Sequence, residues 1–353
     1  MEYTSETRTF ESVLSTTLDS YRTTLQDNVF KSHPMWNKLK SKGMIHKQDG
    51  GVSIIAPVIL DTNSTIDWYR GYDVINLTPQ DPFTVAKFNW CQLGGAISID
   101  RLTVRKNSGR HQLINLVSAL ITNAEESMIK KFMEDFFEAG NYNESQTSKQ
   151  IGGLQAYIAE DPDSYDVGGI DTDVMTDWRN KVEGNGGANF TWVPDLGDTP
   201  AAADGPLAMA KLYNNCSKGP GGSPDIGLCG QYMYQQYESG LHPFKRYSNT
   251  EGPAAMGFEN LRFRNLDLFW DEYIKSETVT QSLAALSQEL AYFMNSSYLE
   301  LIVDSQTDMI LSDWLQPETQ DARTKHILWM GNFLCTRRKK HGIFSYANIT
   351  DRT

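Results

Sequence analysis

The chain has 353 residues, of which 40% are hydrophobic and 22% charged, and its formal net charge is −12 at pH 7. This composition excludes an intrinsically disordered chain, and the length suffices to bury one large core or two smaller ones. The acidic charge disfavours sequence-independent nucleic-acid binding by the whole chain, because such a surface repels phosphate.

The four cysteines (Cys91, Cys216, Cys229 and Cys335) are widely spaced and form no metal-ligand pattern. They predict neither a disulfide framework nor a structural zinc site, and they fit a reducing compartment. We expect no metal and no cofactor. We also expect no membrane partner and no secretory route, because no apolar run approaches the roughly 20 residues of a membrane helix and no signal-peptide pattern is seen.

Residues 1–33 are polar, and their sparse apolar residues, among them Phe30, cannot form a core of their own. We expect an extended or partly helical arm that lies on another surface. Residues 34–49 follow as a short helix and a connector. Pro34 is placed for the first turn of this helix, and Gly43 ends it.

Residues 50–90 predict a long β-hairpin, which begins after the tight-turn signal at Asp49. Its middle carries the aromatic residues Trp68, Tyr69 and Tyr72. Two strands are too few to be stable alone, so the hairpin needs support from elsewhere.

The strongest helix signal covers residues 107–139, where apolar residues recur at steps of three and four. These residues are Leu113, Val117, Leu120, Ala124, Met128, Phe132 and Phe136. Asn107 or Ser108 suits the N-cap, and Gly140 suits the residue beyond the C-terminus. About 30 residues make a rod of about 45 Å, whereas helices in globular proteins average about 11–12 residues.

Residues 140–225 are rich in Gly, Asn, Asp and Pro, and residues 183–206 predict an insertion or contact loop. Helices are expected at 207–215 and 231–238, strands at 225–228 and 261–270, and a Ser/Thr-rich helical insertion at 273–289. Residues 292–303 and 326–346 predict strands of a separate closing sheet.

Catalytic patterns are not found, and we predict no catalytic residue. There is no nucleophile elbow, no phosphate loop and no zinc-protease motif. The six histidines are isolated, which favours satisfied or surface side chains. Among the carboxylates, Glu125 and Glu126 point away from each other on a helix, and no pattern favours a glycosidase-like pair.

A basic run near the C-terminus consists of Arg337, Arg338, Lys339 and Lys340. Such a run is more often a solvated or subunit-facing charge cluster than a nucleic-acid site, and we favour subunit contacts. The arm, the aromatic hairpin and the long rod each leave surface that an isolated monomer cannot cover. A packed homo-oligomer resolves all three.

In this order along the chain, the parts resemble the fold of the major capsid proteins of tailed bacteriophages, the Johnson fold that herpesvirus shells share. Local motifs strengthen the resemblance over nearly the whole chain. They are residues 18–21 (LDSY), 27–30 (DNVF), 68–73 (WYRGYD), 88–90 (FNW), 105–109 (RKNSG), 151–154 (IGGL), 178–180 (WRN), 257–261 (GFENL) and 331–335 (GNFLC).

The resemblance implies an α+β fold with six parts. They are an N-terminal arm (1–33), a short helix and connector (34–49), an extended β-hairpin loop (50–90), a peripheral domain (91–149) with a spine helix (107–139), an axial domain (150–290) with an insertion loop (183–206), and a return to the peripheral sheet (291–353). It implies that the arm and the hairpin lie on neighbouring subunits. Expected subunit contacts are Phe30, Trp68, Tyr69, Arg70, Tyr72, Arg337, Arg338, Lys339 and Lys340.

The implied function is structural: hexamers and pentamers of an icosahedral phage head around double-stranded DNA, in the virion and, during assembly, in the host cytoplasm. Expected partners are further copies of the chain, a portal protein, a separate scaffolding protein and decoration proteins. DNA is contacted only non-specifically, and an acidic inner face would let it slide. No motif places the isopeptide cross-link of some members. Two alternatives stay open, a cellular nanocompartment shell of the same fold and an acidic-residue hydrolase.

Overall fold

The computed structural model describes residues 34–59, 63–79, 82–100, 110–184, 205–241, 261–274, 290–313, 315–316 and 321–345. The predicted arm with Phe30 lies outside these ranges, as do the predicted N-cap positions 107 and 108. Most of the predicted insertion loop and of the predicted insertion at 273–289 also lies outside them.

The first described element is helix α1, Pro34–Ser41, followed by strand β1, Ile45–Gln48. The helix begins at the proline, and Gly43 has a φ of +69°, as predicted for its end. Trp36 is buried, with its ring 4.9 Å from that of Phe136 and 5.7 Å from that of Phe333. The helix is therefore fixed to the core by its apolar face.

Strands β2, Ile54–Ile59, and β3, Phe83–Phe88, form a two-stranded antiparallel sheet, in which Ile54 pairs with Phe88 and Ile59 with Phe83. We call these two strands and the described residues 63–79 between them the ribbon. The face that points to the body of the molecule consists of Ile54, Ala56, Val58, Ala86 and Phe88, all buried.

The base of the ribbon rests on a turn at Val167–Gly169. Gly168 has a φ of +68°, and a Cβ at this position would lie 2.6 Å from the Cβ of Ala86. Only glycine combines this conformation with so close an approach. The ring of Trp178 holds the turn, because its Nε1 donates to the carbonyl oxygen of Val167 at 3.0 Å.

A five-stranded sheet is built around the long strand β12, Ala322–Cys335. Strand β4, Cys91–Asp100, pairs antiparallel with residues 322–331 of β12. Strands β10, Leu299–Asp304, and β11, Ile310–Leu311, pair antiparallel with other parts of β12, and β1 runs parallel to β10.

The long helix α2, Arg110–Phe136, has 27 residues and a length of about 40 Å. Met128, Phe132 and Phe136 are buried at four-residue steps, as the predicted stripe requires. The ring of Phe132 packs 5.2 Å from that of Trp329 in β12. Gly140 has a φ of +59° just beyond the helix, as predicted. The short helix α3, Leu154–Tyr157, follows.

A six-stranded sheet holds the remaining strands. In spatial order they are β5 (Lys181–Gly184), β13 (Gly342–Ser345), β9 (Leu290–Met294), β6 (Ile226–Cys229), β8 (Leu266–Trp270) and β7 (Leu261–Phe263). Helices α4, Gly205–Ser217, and α5, Gln231–Leu241, contribute to a second core with this sheet. The strand predicted at 261–270 is a hairpin of β7 and β8, turned at Arg264 with a φ of +55°.

The prediction of one closing sheet for residues 292–346 is wrong. Strands β10 and β12 belong to the five-stranded sheet, whereas β9 and β13 belong to the six-stranded one. The chain crosses between the sheets near Asn295 and again before His341. Periodicity reports that a residue run is extended but not which strands it pairs with, because pairing depends on distant segments. The domain bounds themselves stay a prediction, while the α+β class is confirmed.

Candidate functional site

The loop of the ribbon exposes large apolar side chains. Trp68 and Tyr72 are 99% and 105% exposed, and Tyr69 is also exposed. Further exposed apolar side chains of the loop are Ile66, Val74, Ile75 and Leu77. Indole and phenol rings have large apolar areas, so a cluster of them in contact with water is unusual unless another molecule covers them.

Local hydrogen bonds hold the aromatic loop in shape. The Asp73 amide donates to the carbonyl oxygen of Arg70 at 3.0 Å, and the Arg70 amide donates to Oδ2 of Asp73 at 2.8 Å. Gly71 supplies the positive φ of +50° inside this turn. The turn thus separates Tyr69 from Tyr72.

The outer face of the ribbon base is also apolar. Ile55, Ile59, Phe83 and Val85 alternate with the buried residues of the inner face, and all four are exposed. A two-stranded ribbon that is apolar on both faces has one face covered by its own chain. The other is left for a partner.

The basic run behaves differently from the ribbon. Arg338 is completely buried, and its guanidinium donates to four oxygens. The acceptors are the carbonyl oxygens of Tyr157 (3.0 Å), Ala156 (3.1 Å) and Tyr165 (3.2 Å), and Oδ1 of Asn180 (3.2 Å). Burial lowers the pKa of Arg338 to about 10, which leaves it charged at neutral pH.

Lys340 is buried in the same way. Its Nζ donates to the carbonyl oxygens of Lys218 (2.9 Å), Gly219 (3.0 Å) and Gly222 (3.4 Å) in the loop after α4. Burial lowers the pKa of this amine. The neighbouring Arg337 donates to the carbonyl oxygen of Pro220 at 3.1 Å. Arg337 and Lys340 thus both donate to the glycine-rich loop at residues 218–222.

The subunit-contact prediction is therefore corrected for Arg338 and Lys340. Both side chains are satisfied inside their own chain by backbone carbonyl oxygens, which sequence spacing does not reveal. Arg337 and Lys339 are partly exposed, with Lys339 Nζ 2.9 Å from Asp177. For these two residues and for Trp68, Tyr69, Arg70 and Tyr72, subunit contact stays a prediction.

The arrangement closest to a catalytic one is a buried cluster of Ser296, Asp225 and His341. The hydroxyl of Ser296 donates to Asp225 Oδ2 at 2.7 Å, and His341 Nδ1 accepts from the Asn295 amide at 3.2 Å. A nucleophilic serine must instead donate to the histidine and face a substrate. All three side chains are buried, so this cluster suits structural hydrogen bonding.

Other reactive groups are shielded. The four cysteines are free and buried, and burial raises the pKa of each thiol to about 12. Within the described ranges, no cluster of three metal-ligating side chains is found. A groove of about 370 Å³ between β4 and α2 is lined mainly by small and apolar residues. Its one charged side chain, Lys131, is paired with Asp135. No helix in the described part of the chain is long and apolar enough to span a membrane.

Several solved structures share this fold. The chain aligns with the cyanophage A-1(L) capsid asymmetric unit at a TM-score of 0.57 and 11% identity, covering 86% of this chain and 90% of that chain. The capsid of the native GTA particle aligns at a TM-score of 0.54 and 9% identity, covering 88% of this chain and 90% of that chain. The capsid of Myoviridae phage XM1 aligns at a TM-score of 0.51 and 10% identity, covering 87% of this chain and 91% of that chain. No protein-family model and no curated protein sequence matches. The predicted phage-capsid fold is confirmed by structure.

Proposed function

We propose that the chain is the major capsid protein of a tailed bacteriophage and acts by self-assembly, without catalysis. Copies would form hexamers and pentamers of an icosahedral head around double-stranded DNA, in the virion and, during assembly, in the host cytoplasm. The observation that carries the proposal is the ribbon, whose loop and outer face are apolar and uncovered in a chain with a capsid fold.

The size of the uncovered surface supports assembly. Large aromatic side chains bury about 150–250 Å² each, so the three rings of the loop alone offer on the order of 600 Å². At about 25 cal/mol per Å² this corresponds to about 15 kcal/mol of gross stabilisation. Association costs about 4–15 kcal/mol, so burial of this surface against a neighbour can offset that cost.

The partners follow from this role. Further copies of the chain are the main partner, and a portal protein, a separate scaffolding protein and decoration proteins complete the proposed assembly. With a net charge of −12, contacts to packaged DNA are expected to be non-specific and weak.

The proposed subunit contact of the basic run is narrowed to Arg337 and Lys339. Replacing all four residues would remove two buried cations and disturb the fold itself. The double variant R337A/K339A tests the contact alone. Weaker assembly supports it, whereas normal shells that package no DNA would indicate a DNA contact instead.

The main test is assembly of the full-length chain, with and without a co-expressed scaffolding protein, followed by size-exclusion chromatography and negative-stain electron microscopy. We expect megadalton shells from the natural chain and smaller species from W68S/Y72S. The control V174S/L315S removes two exposed apolar side chains outside the ribbon and should assemble normally. A monomer at micromolar concentration under both conditions would contradict the proposal.

The contents of the particles separate the phage shell from a nanocompartment shell. Shells from the native source that enclose double-stranded DNA support the proposal. Shells that enclose an enzyme and no nucleic acid would favour the compartment.

A further inference from the structure

Two segments carry the chain from one sheet to the other, and they lie side by side. One runs from β9 to β10 through Asn295, and the other runs from β12 to β13 through the basic run to His341. The Thr336 amide donates to the carbonyl oxygen of Tyr298 at 3.0 Å, and the Asn295 amide donates to His341 Nδ1 at 3.2 Å. Any shift of one sheet against the other must act on this crossing.

His341 is completely buried at the crossing. Because its Nδ1 accepts the Asn295 amide, the proton of the neutral ring lies on Nε2, which has no hydrogen-bond partner among the described residues. The backbone of His341 is held as well, since its carbonyl oxygen accepts from the Lys181 amide and its amide donates to the Arg338 carbonyl. The ring is therefore fixed in a position that suits only its neutral form.

Two charged groups act on the imidazole. Asp225, before β6, favours a positive charge, and Arg338 opposes it. The Asp225 carboxylate is already occupied, because it accepts from Lys42 Nζ at 2.5 Å and from the amide and hydroxyl of Ser296 at 2.8 and 2.7 Å. The adjacent Lys340 is a further cation, with its Nζ on carbonyl oxygens after α4. Among the described residues, neither ring nitrogen of a protonated His341 has an acceptor in place, because Nδ1 faces the Asn295 amide and Nε2 has no partner.

We propose that the Asn295–His341 contact is an acid-sensitive clasp between the two crossover segments, at the end of β9 and the start of β13. Protonation turns Nδ1 from an acceptor into a donor that faces the donor N–H of Asn295. The hydrogen bond is lost, and a second buried cation lies beside Arg338, while the nearby Asp225 is already paired with Lys42. The two crossover segments are then held less tightly at the end where β9 and β13 pair, while the Thr336–Tyr298 hydrogen bond stays at the other end. The proposal does not depend on the shell function.

The direction of the pH effect follows from linkage. Burial lowers the pKa of His341 from its ordinary 6.5 to about 3. Between these values the opened chain binds a proton that the closed chain does not. The contribution of neutral His341 to the free energy of unfolding is therefore fully present above about pH 6.5. It is lost progressively as the pH falls towards 3.

The first test compares urea unfolding of the full-length natural chain, H341Q and H326Q between pH 4.5 and 7. Glutamine keeps an acceptor for the Asn295 amide but cannot titrate. H326Q is the matched control, because His326 lies partly exposed in β12. Above pH 4.5 Asp225 stays ionised, since its pKa lies below its ordinary value.

We compare the equilibrium constants for unfolding. For each pH unit below pH 6, the constant of the natural chain and that of H326Q should rise about tenfold more than the constant of H341Q. Equal slopes for all three chains would overturn the proposal.

The second test asks whether opening is local, by amide hydrogen exchange corrected for the intrinsic rate at each pH. In the natural chain at pH 5, residues 290–298 and 342–345 should lose protection before the core of α2 does. In H341Q they should stay protected. Simultaneous loss over the whole natural chain would show that His341 affects only global stability, and the clasp would be rejected.

A third measurement needs no variant, which matters if H341Q does not fold. Hydrogen exchange at the imidazole Cε1, read by mass spectrometry, reports on each histidine separately. At pH 7 His341 should exchange more slowly than His326, and as the pH falls its rate should approach that of His326 at the same pH. A ring that exchanges like His326 at every pH would overturn the proposal.

Discussion

The ribbon and the basic run reverse the usual placement of side chains. The ribbon carries Trp68 and Tyr72 into solvent, whereas the basic run carries Arg338 and Lys340 into the interior. The first is apolar surface that no described residue of its own chain covers, and the second is buried charge whose acceptors come from its own chain. A side chain's character thus does not decide its place; the presence of a partner does.

The difference separates two kinds of role. Residues whose partners lie within the chain determine the stability of the subunit, so their loss should be visible in unfolding experiments. Residues whose partners lie outside should leave the subunit intact and act only on assembly. The variants below test this separation in order of expected effect on the free energy of unfolding.

Arg338→Met should have the largest effect. The variant leaves the oxygens of Ala156, Tyr157, Tyr165 and Asn180 without this donor, and we expect a loss of about 3–5 kcal/mol. Urea denaturation measures it. Lys339→Met is the control, because a surface ion pair such as that with Asp177 contributes only about 0–1 kcal/mol. Similar losses in both variants would refute the distinction within the basic run.

Gly168→Ala should loosen the base of the ribbon. The backbone strain of a positive φ costs about 1–2 kcal/mol, and the clash with Ala86 adds about 1–3 kcal/mol. Gly169→Ala is a matched control, because Gly169 has a φ of +75° but no atom within 4 Å of the added Cβ. In thermal unfolding, the melting temperature of Gly168→Ala should be clearly lower than that of Gly169→Ala. Equal melting temperatures would mean that the ribbon base is not held by this turn.

Lys340→Met should cost about 1–3 kcal/mol, because three carbonyl oxygens after α4 lose their shared donor. Amide exchange should increase in residues 217–222 and remain unchanged in the ribbon. If exchange in that loop equals that of the natural chain, the lysine does not hold it.

Trp68→Ser should have the smallest effect on subunit stability, below about 0.5 kcal/mol, because the side chain is 99% exposed. The buried Trp36→Ser should instead cost about 3–5 kcal/mol by removing a ring from the core. Circular dichroism melts of unassembled subunits give both values. A strongly destabilised Trp68→Ser would show that the ribbon loop supports its own subunit and would weaken the assembly proposal.

Much of the fold followed from local patterns. The stripe of Met128, Phe132 and Phe136 predicted the long helix, and the proline and glycine around residues 34–43 predicted the first one. The exposed aromatics of the ribbon were also predicted, because two strands offer no interior for them. The closing strands were different: the runs 292–303 and 326–346 were predicted as strands of one sheet, but each is divided between two sheets.

What the sequence by itself determined is therefore the helices, most strands and the uncovered ribbon. These depend on the periodicity of neighbouring residues, which distant contacts do not alter. Only the tertiary structure decided which strands pair, that Arg338 and Lys340 are buried, and that His341 lies beneath the crossing of two segments. The reason is physical. Strand pairing and charge burial require acceptors and edges from residues that lie tens to hundreds of positions away, and one-dimensional spacing carries no record of them.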